Sequence, residues 1–502
     1  MEAKLGFNGC RGYQMIFTKT VTASESQDSV VPDTMPDISS ILCVSGCVLI
    51  RSKDVAEGHV RLEANVPARV CCSGEGEGQT FWLDVNIPFY ISVEDAAIGD
   101  GSVCTAALTT RHLEAKMLNP RKITVRAEIE AALDCYAEYT EEFSTFPEDE
   151  ESAVHAREEE TELSVVSCVT EKSFVLTDEF ELGPERSAVK EIIGQNADVM
   201  IQEVRGVGSK LIVKGSVRSE LTCLCESGEL DTVLFQTAFS QIIETQTETE
   251  DVLCETRIVK SGMFYEVSPV SDGRSISMEL HLVAQTAVYM RRRFRYLSDA
   301  YSNAFALNLR LTQREIMLYE RELLFRDTFT AAIDTAGEVG QVISCHASPI
   351  GWTAENGEAA VQLLVQLCWR LDGKIYSAER SISQQIAADA DTEGIRVCDI
   401  TVQEVYAMPG DGGVVLRITL ETRAFAVRKA TLNCISGIEY DDTQPLDLDD
   451  RPTLVILYPR VAGDLWTLAK ENCSTVEAIR AANALSEDEI PEDRILLIPK
   501  TI

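Results

Sequence analysis

Strict alternation of apolar and polar positions is the dominant signal along this chain. From Ile123 the apolar residues fall on every second position, at Ile123, Val125, Ala127, Ile129, Ala131 and Leu133, with Thr124, Arg126, Glu128 and Glu130 between them. The pattern returns at Ile276, Met278, Leu280 and Leu282 against Ser277, Glu279 and His281, and again at Leu416, Ile418 and Leu420 against Arg417, Thr419 and Glu421. A period of two sends successive side chains to opposite faces, so each run predicts a half-buried strand of an antiparallel sheet. Shorter landmarks precede each run. Residues 60–64, 210–215 and 360–364 alternate in the same way, and WLDVNIPFYISVE around Phe89 is matched by LFQTAFSQIIE around Phe239 and, weakly, by SAERSISQQIA around Ile382. The apolar pairs Ile41-Leu42 and Ile192-Ile193 follow extended lead-ins. Turn formers at 74–78, 271–274 and 409–413 separate the strands. The landmarks recur in one order at an offset of about 150 residues, one domain length. The pattern therefore predicts three tandem, mainly-β modules, each a sandwich or partly open barrel, the third the most divergent.

Like-charge blocks mark the expected joints. Residues 138–162 hold Glu148-Asp149-Glu150-Glu151 and Glu158-Glu159-Glu160, which repel one another and predict a solvated linker or exposed helix. Residues 441–452, with Pro445, read as a second acidic tether. Residues 291–326 open on Arg291-Arg292-Arg293-Phe294-Arg295 and read as a connector, either helical or extended. The resulting map is a β-rich repeat over 1–137, an acidic linker over 138–162, a second repeat over 163–290, the connector over 291–326, a divergent third repeat over 327–440, the acidic linker over 441–452 and a small terminal domain over 453–502.

Composition narrows the function classes. A chain of 502 residues exceeds one core. Its formal charge of −36 argues against nucleic acid and anionic membranes as partners. The opening MEAKLGFNGCRGYQMIF has no apolar stretch of signal length, and no run of about 18 apolar residues follows, so a soluble, cytoplasmic protein is expected. Sixteen cysteines are scattered without a CxxC pair, which predicts buried reduced thiols.

The tail LVILYPRVAGDLWTLAKENCSTVEAIRAANALSEDEIPEDRILLIP changes rhythm to strand, helix, helix, strand. Leu454 to Tyr458 is an apolar, β-branched run. Asp464 stands at an N-cap position before Leu465-Trp466, and Ser474 reads as a second N-cap with Glu477 completing a capping box. Ile495 to Ile498 forms the closing strand, stopped by Pro499. The Gly463-Asp464 turn, the Leu465-Trp466 pair and the Ala482-Asn483 helix end, in this order, resemble the LysM module, a βααβ domain that binds ligands in a shallow groove. One departure stands out: the usual Gly-Asp-Ser/Thr-Leu-Trp turn is Gly463-Asp464-Leu465-Trp466 here, so Asp464 takes the hydroxyl's capping slot or a residue is missing.

With VPDTMPDISSIL at the first repeat, IPF after its second strand, LSDAYS between the second and third, and the LysM-like end, nearly the whole chain is similar to the SPOCS-domain/LysM proteins of spore-coat morphogenesis. The resemblance implies a non-enzymatic scaffold in the mother-cell cytosol at the forespore surface. It also implies coat proteins as partners and a spore morphogenetic ATPase of the SpoIVA type, bound through the LysM end. It implies groove residues Gly463, Asp464, Leu465, Asn483, Ala484, Leu485 and Ile490. The rival is a wall protein that binds peptidoglycan- or chitin-type glycan. Acidic lips, at Asp464 and at Ser486-Glu487-Asp488-Glu489, favour a basic protein surface over a neutral sugar.

No catalytic constellation is expected, and no cofactor or metal. Gly206-Val207-Gly208-Ser209-Lys210 lacks phosphate-loop spacing and reads as a hairpin turn. The five histidines share no ligand spacing, and Cys345-His346 point to opposite faces of a strand. The Arg291–Arg295 cluster reads as a solvated domain edge, with the chain's own acidic segment as an alternative mate. Trp466 reads as the filler of the small terminal core rather than a sugar platform.

Overall fold

A computed structural model describes residues 2–75, 80–147, 153–245, 247–335, 337–355, 358–386, 394–447, 451–458, 464–486 and 494–501. The protein is mainly β. Three successive strand groups share one pairing order. The first has β1 (Gly6–Val30), β2 (Ile38–Gly46), β3 (Leu49–Ala56), β4 (His59–Gly74), β5 (Thr80–Glu94), β6 (Val103–Asn119) and β7 (Lys122–Thr145). The second has β8 (Val154–Glu181), β9 (Val189–Val207), β10 (Lys210–Cys225), β11 (Leu230–Glu244), β12 (Val252–Val267) and β13 (Ser275–Ser302). The third has β14 (Phe305–Asp334), β15 (Gln341–Glu355), β16 (Glu358–Leu371), β17 (Lys374–Ile386), β18 (Gly394–Gly410) and β19 (Gly413–Pro445).

In each group a short antiparallel meander faces a sheet of long strands. The meanders are β9-β10-β11, β15-β16-β17 and, in the first group, β2 and β3 end to end along one side of β4 with β5 on the other. The long sheets run β1-β7-β6, β8-β13-β12 and β14-β19-β18. The alternation seen in sequence is the alternation of burial: Ile123, Val125, Ala127, Ile129, Ala131 and Leu133 of β7 are all fully buried. They pack on Leu62, Ile87 and Phe89 of the meander. The second core sets Leu211, Val213 and Phe239 on Ile276, Met278 and Leu280, and the third sets Leu363, Val365 and Trp369 on Leu416, Ile418 and Leu420. Each such buried side chain contributes about 1.5–3 kcal/mol. The Gly206–Lys210 segment is the β9–β10 turn, with Gly208 at φ +58°.

The long strands do not stop at their sandwiches. Bulges, such as those at Val288/Tyr289 and Leu297/Asp299 in β13, turn the strand's faces, and the second halves enter shared cores. Phe143 of β7, Phe294 and Tyr296 of β13 and Cys434 of β19 bury together. Leu297 and Ala300 of β13 meet Ile435 and Ile438 of β19. Every group touches the other two, so the three close around a common centre. Lys53 reaches Gln285 at 2.8 Å, Arg218 reaches the Gln403 carbonyl at 2.7 Å, and Ser377 reaches the Leu42 carbonyl at 2.9 Å.

Three boundaries are corrected. Residues 138–162, read as an acidic linker, continue β7 to Thr145 and open β8 at Val154, with 148–152 outside the described residues. Glu158 and Glu162 do not repel into solvent, because β13 lays the arginine cluster beside them: Glu162 meets Arg293 at 2.6 Å and Glu158 meets Arg295 at 3.7 Å. The connector over 291–326 is extended rather than helical, forming the end of β13 and the start of β14. Each group opens on a long strand, at Gly6, Val154 and Phe305. Of 441–452, Asp441 to Pro445 belong to β19, and 448–450 lie outside the described residues.

Candidate functional site

The C-terminal tail folds as β20 (Leu454–Leu457), α1 (Leu465–Glu471), α2 (Val476–Asn483) and β21 (Leu496–Pro499), with β20 and β21 antiparallel. Asp464 caps α1, accepting from the Thr467 N–H at 2.9 Å. The cap of α2 is Thr475, which accepts from the Ala478 N–H at 3.0 Å, and not Ser474 as the sequence reads. Ser474 is fully buried, and its hydroxyl donates to the Pro499 carbonyl at 2.5 Å instead. A buried hydroxyl takes the nearest acceptor, and the extended backbone that a cap needs falls one residue later.

This unit is seated on β13. Its core of Leu465, Ala469, Ile479, Leu496 and Ile498 includes Tyr301 from that strand. The Tyr301 hydroxyl donates to the Ser474 carbonyl at 3.0 Å, and Asn303 Nδ2 donates to the same carbonyl at 3.1 Å. Asp299 accepts from Trp466 Nε1 at 2.8 Å and from Lys470 Nζ at 2.6 Å. Arg157 on β8 pairs with Asp464 at 2.5 Å. Trp466 is half-buried: it packs on the module's core and stands edge-on to Tyr301, ring centroids 4.8 Å apart, so it also joins that core to the seat. Leu465 takes the interior position.

The expected groove residues scatter in role. Leu465 is fully buried, and Asn483 is a buried clamp: its Oδ1 accepts from the Leu497 N–H at 2.7 Å and its Nδ2 donates to the Leu497 carbonyl at 2.6 Å. Neither faces a ligand. Leu485 is partly buried against the module core, and Ala484 is exposed in the left-handed conformation that ends α2. Asp464 is engaged by Arg157. Gly463 and Ile490 lie outside the described residues. The Thr467 hydrogen bonds and Arg157 hold the Asp464 carboxyl below its ordinary range, against a burial effect that raises it. For Asp299 burial is the larger influence and raises it, but Lys470 and Trp466 together bring it below.

What the tail does present is apolar. The outward positions of β20 and β21 and their flanks, Leu454, Ile456, Tyr458, Ile495 and Leu497, are all exposed. Ile456 and Leu497 are direct ladder partners.

Two further places escape the sequence reading. At the centre, where the three groups meet, lies a cavity of about 1410 Å³ reached by residues of all three. Asp134 and Glu255 are buried beside it. Arg257 bridges them at 2.8 and 2.6 Å, and Arg396 bridges them again at 3.3 and 2.9 Å. Thr18 adds a hydrogen bond to Asp134 at 2.8 Å and Tyr289 one to Glu255 at 3.0 Å. A sequence signal exists: after Leu133 the alternation of β7 breaks, and Leu133, Asp134, Cys135 and Tyr136 are all buried in succession, where the strand becomes covered on both faces.

Between the second and third groups, Ser348 Oγ lies 2.9 Å from His346 Nε2, and His346 Nδ1 lies 3.4 Å from Glu220. The order serine, histidine, carboxylate is that of an acyl-transfer centre, but here His346 and Glu220 are buried between two strand groups. Burial lowers the pKa of His346, yet Asp198 at 3.7 Å and Glu220 outweigh it and bring it above its ordinary value. The cluster acts as an ionic fastener between strand groups. Among the described residues no cluster of His, Cys, Asp or Glu is arranged to hold a metal ion, and no helix is long and apolar enough to cross a membrane.

No known protein family and no curated protein matches this chain.

Proposed function

We propose that the protein is a non-enzymatic scaffold of spore-coat assembly. In this reading three copies of one β module, of SPOCS type, carry a LysM-type domain that grips a protein partner. The observation that carries a protein ligand is the outer face of the terminal sheet, where Leu454, Ile456, Tyr458, Ile495 and Leu497 stand exposed together. Contiguous apolar surface of this kind marks protein contact. A glycan chain, rich in hydroxyls, needs several polar partners, and on this face the Tyr458 hydroxyl is set among aliphatic side chains. The shared strand order of the three groups, with the recurring sequence landmarks on β4, β10 and β16 and on β7, β13 and β19, supports one module used three times. The sequence resemblance supplies the setting and the partner class: the mother-cell side of the forespore surface, a coat-basement ATPase of the SpoIVA type, and further coat proteins.

The second reading, binding of peptidoglycan- or chitin-type glycan, is favoured by the βααβ order itself. It is weakened by the burial of Leu465 and Asn483 and by the Arg157–Asp464 pair at the expected lip. A binding assay with the full chain separates the two. Immobilised wild-type protein and the Ile456→Lys variant are presented with the purified ATPase and, separately, with insoluble peptidoglycan. The reading requires ATPase capture by wild type and its loss in the variant. Retention on peptidoglycan without ATPase capture would replace it with the glycan reading.

A further inference from the structure

Three thiols from two strand groups meet where the first and third groups touch. Cys43 on β2 is the ladder partner of Cys71 on β4. The same stretch of β2 lies on β17, where Ser377 Oγ donates to the Leu42 carbonyl at 2.9 Å. Cys368 on β16 is the ladder partner of Ser377 and so arrives beside Cys43 as well. Cys368 and Cys71 both stand close enough to Cys43 to act on its charge. Cys71 and Cys368 are buried, and Cys43 is partly buried. All three are free thiols.

Of the three sulfurs, Cys43 is the one that solvent reaches. The contacts from Cys368 and Cys71 bring the Cys43 thiol well below its ordinary range, against its burial, while the contact with Cys43 and their own burial push Cys71 and Cys368 up. The thiolate is the nucleophile in sulfur chemistry, and the protonated neighbour is the resolving partner.

We propose that Cys43, Cys71 and Cys368 form an oxidant-responsive clasp that closes as a Cys43–Cys368 disulfide between the first and third strand groups. The oxidant is a hydroperoxide. Cys43 Sγ attacks the terminal peroxide oxygen, the O–O bond breaks, and the remaining alkoxide or hydroxide leaves and takes up a proton, which gives Cys43 sulfenic acid. Cys368 Sγ then attacks the Cys43 sulfur, the S–O bond breaks, and hydroxide leaves with the Cys368 proton as water. In total, two thiols and one hydroperoxide give one disulfide, one alcohol (or water) and one water. Cys71 stays reduced and acts as a positioning residue. A bond to Cys71 would only restate a ladder already made. A bond to Cys368 ties groups that otherwise meet here through side-chain contacts such as Ser377 on Leu42.

The test treats the full reduced chain with stoichiometric hydrogen peroxide, followed by non-reducing digestion and mass spectrometry. The expected result is a Cys43–Cys368 peptide pair, loss of two titratable thiols and a raised melting temperature that a reductant reverses. In Cys368→Ser the sulfenic acid persists on Cys43 and is trapped by a 1,3-dione. In Cys43→Ser neither product forms, and peroxide-driven thiol loss slows at least about tenfold, as expected when a thiolate is replaced by ordinary buried thiols. Cys43→Ala and Cys368→Ala, compared with wild type by circular dichroism while reduced, guard against a folding defect, and the wild-type peptide map stands without any variant. A Cys43–Cys71 bridge, or oxidation of Cys43→Ser at the wild-type rate, would overturn the clasp.

Discussion

Trp466 donates its indole N–H to Asp299 at 2.8 Å, and through this bond a side chain that packs on the terminal module's core also fastens the module to another strand group. Asp299 also receives Lys470, and each bond is charge-assisted. Asp299→Ala removes both. With the group partly exposed, the expected cost to docking is about 1–2 kcal/mol. Hydrogen exchange in α1 should rise and tryptophan emission shift to the red, while the cores of the three strand groups keep their protection. Unchanged exchange in α1 would mean that Tyr301, Asn303 and the Arg157–Asp464 pair suffice to hold the module.

The same seat is acid-sensitive. Asp299 and Asp464 are both held below the ordinary carboxyl value of 3.8. A carboxylate with a depressed folded pKa contributes stability that is present above its unfolded value and lost as pH falls through the folded one. Docking should therefore persist down to about pH 4 and fail below it. Tryptophan emission followed through an acid titration checks this, and in Asp299→Asn the remaining transition should reflect Asp464 alone.

The fastener at His346 has the opposite sign. Its pKa is raised by Asp198 and Glu220 above the ordinary 6.5. Its contribution is complete below 6.5 and is lost as pH rises through the higher folded value. The melting temperature of wild type should exceed that of His346→Gln at about pH 6, and the gap should narrow steadily on the alkaline side. A gap that widens with pH would show that the ring is neutral in the folded protein.

At the centre, Arg396 joins two buried carboxylates. Arg396→Met leaves Glu255 and Asp134 with Arg257 alone, and breaking a buried ionic network from one side costs about 3–5 kcal/mol. Adding Glu255→Gln removes the uncompensated charge and should recover part of the loss. Chemical denaturation of the two variants measures both effects. Equal stability of the single and double variants would show that water already relieves the charge.

Much of the fold is legible in the residues because burial on one face writes itself as alternation. β7, β13 and β19 are readable for this reason, as are the two helices from Asp464 and the apolar stripe behind it. What is not legible depends on partners distant in sequence. Glu158 and Glu162 look like a repelling block until β13 supplies Arg295 and Arg293. Ser474 and Thr475 are chemically alike, and only the burial of the first separates their roles. Leu465 and Asn483 flank a groove by their place in the sequence, whereas their side chains turn inward. Asp134, Glu255, Arg257 and Arg396 come from three different strands, and no local spacing ties them together.

Strand β13 carries one further implication. It passes without interruption from the second sandwich, through the junction at Tyr289, to the seat at Tyr301, and pairs with β8 along almost its whole length. The module's covalent tie runs to β19, so a partner that tugs on it loads β13 only as far as the side chains of the seat hold, and along the strand axis that load meets the β8–β13 ladder in shear, its rungs resisting in parallel. Pulled across the axis, the rungs would give way singly, like a zip. The seat is thus backed by a ladder that is stiff in one direction of tension and yielding in the other.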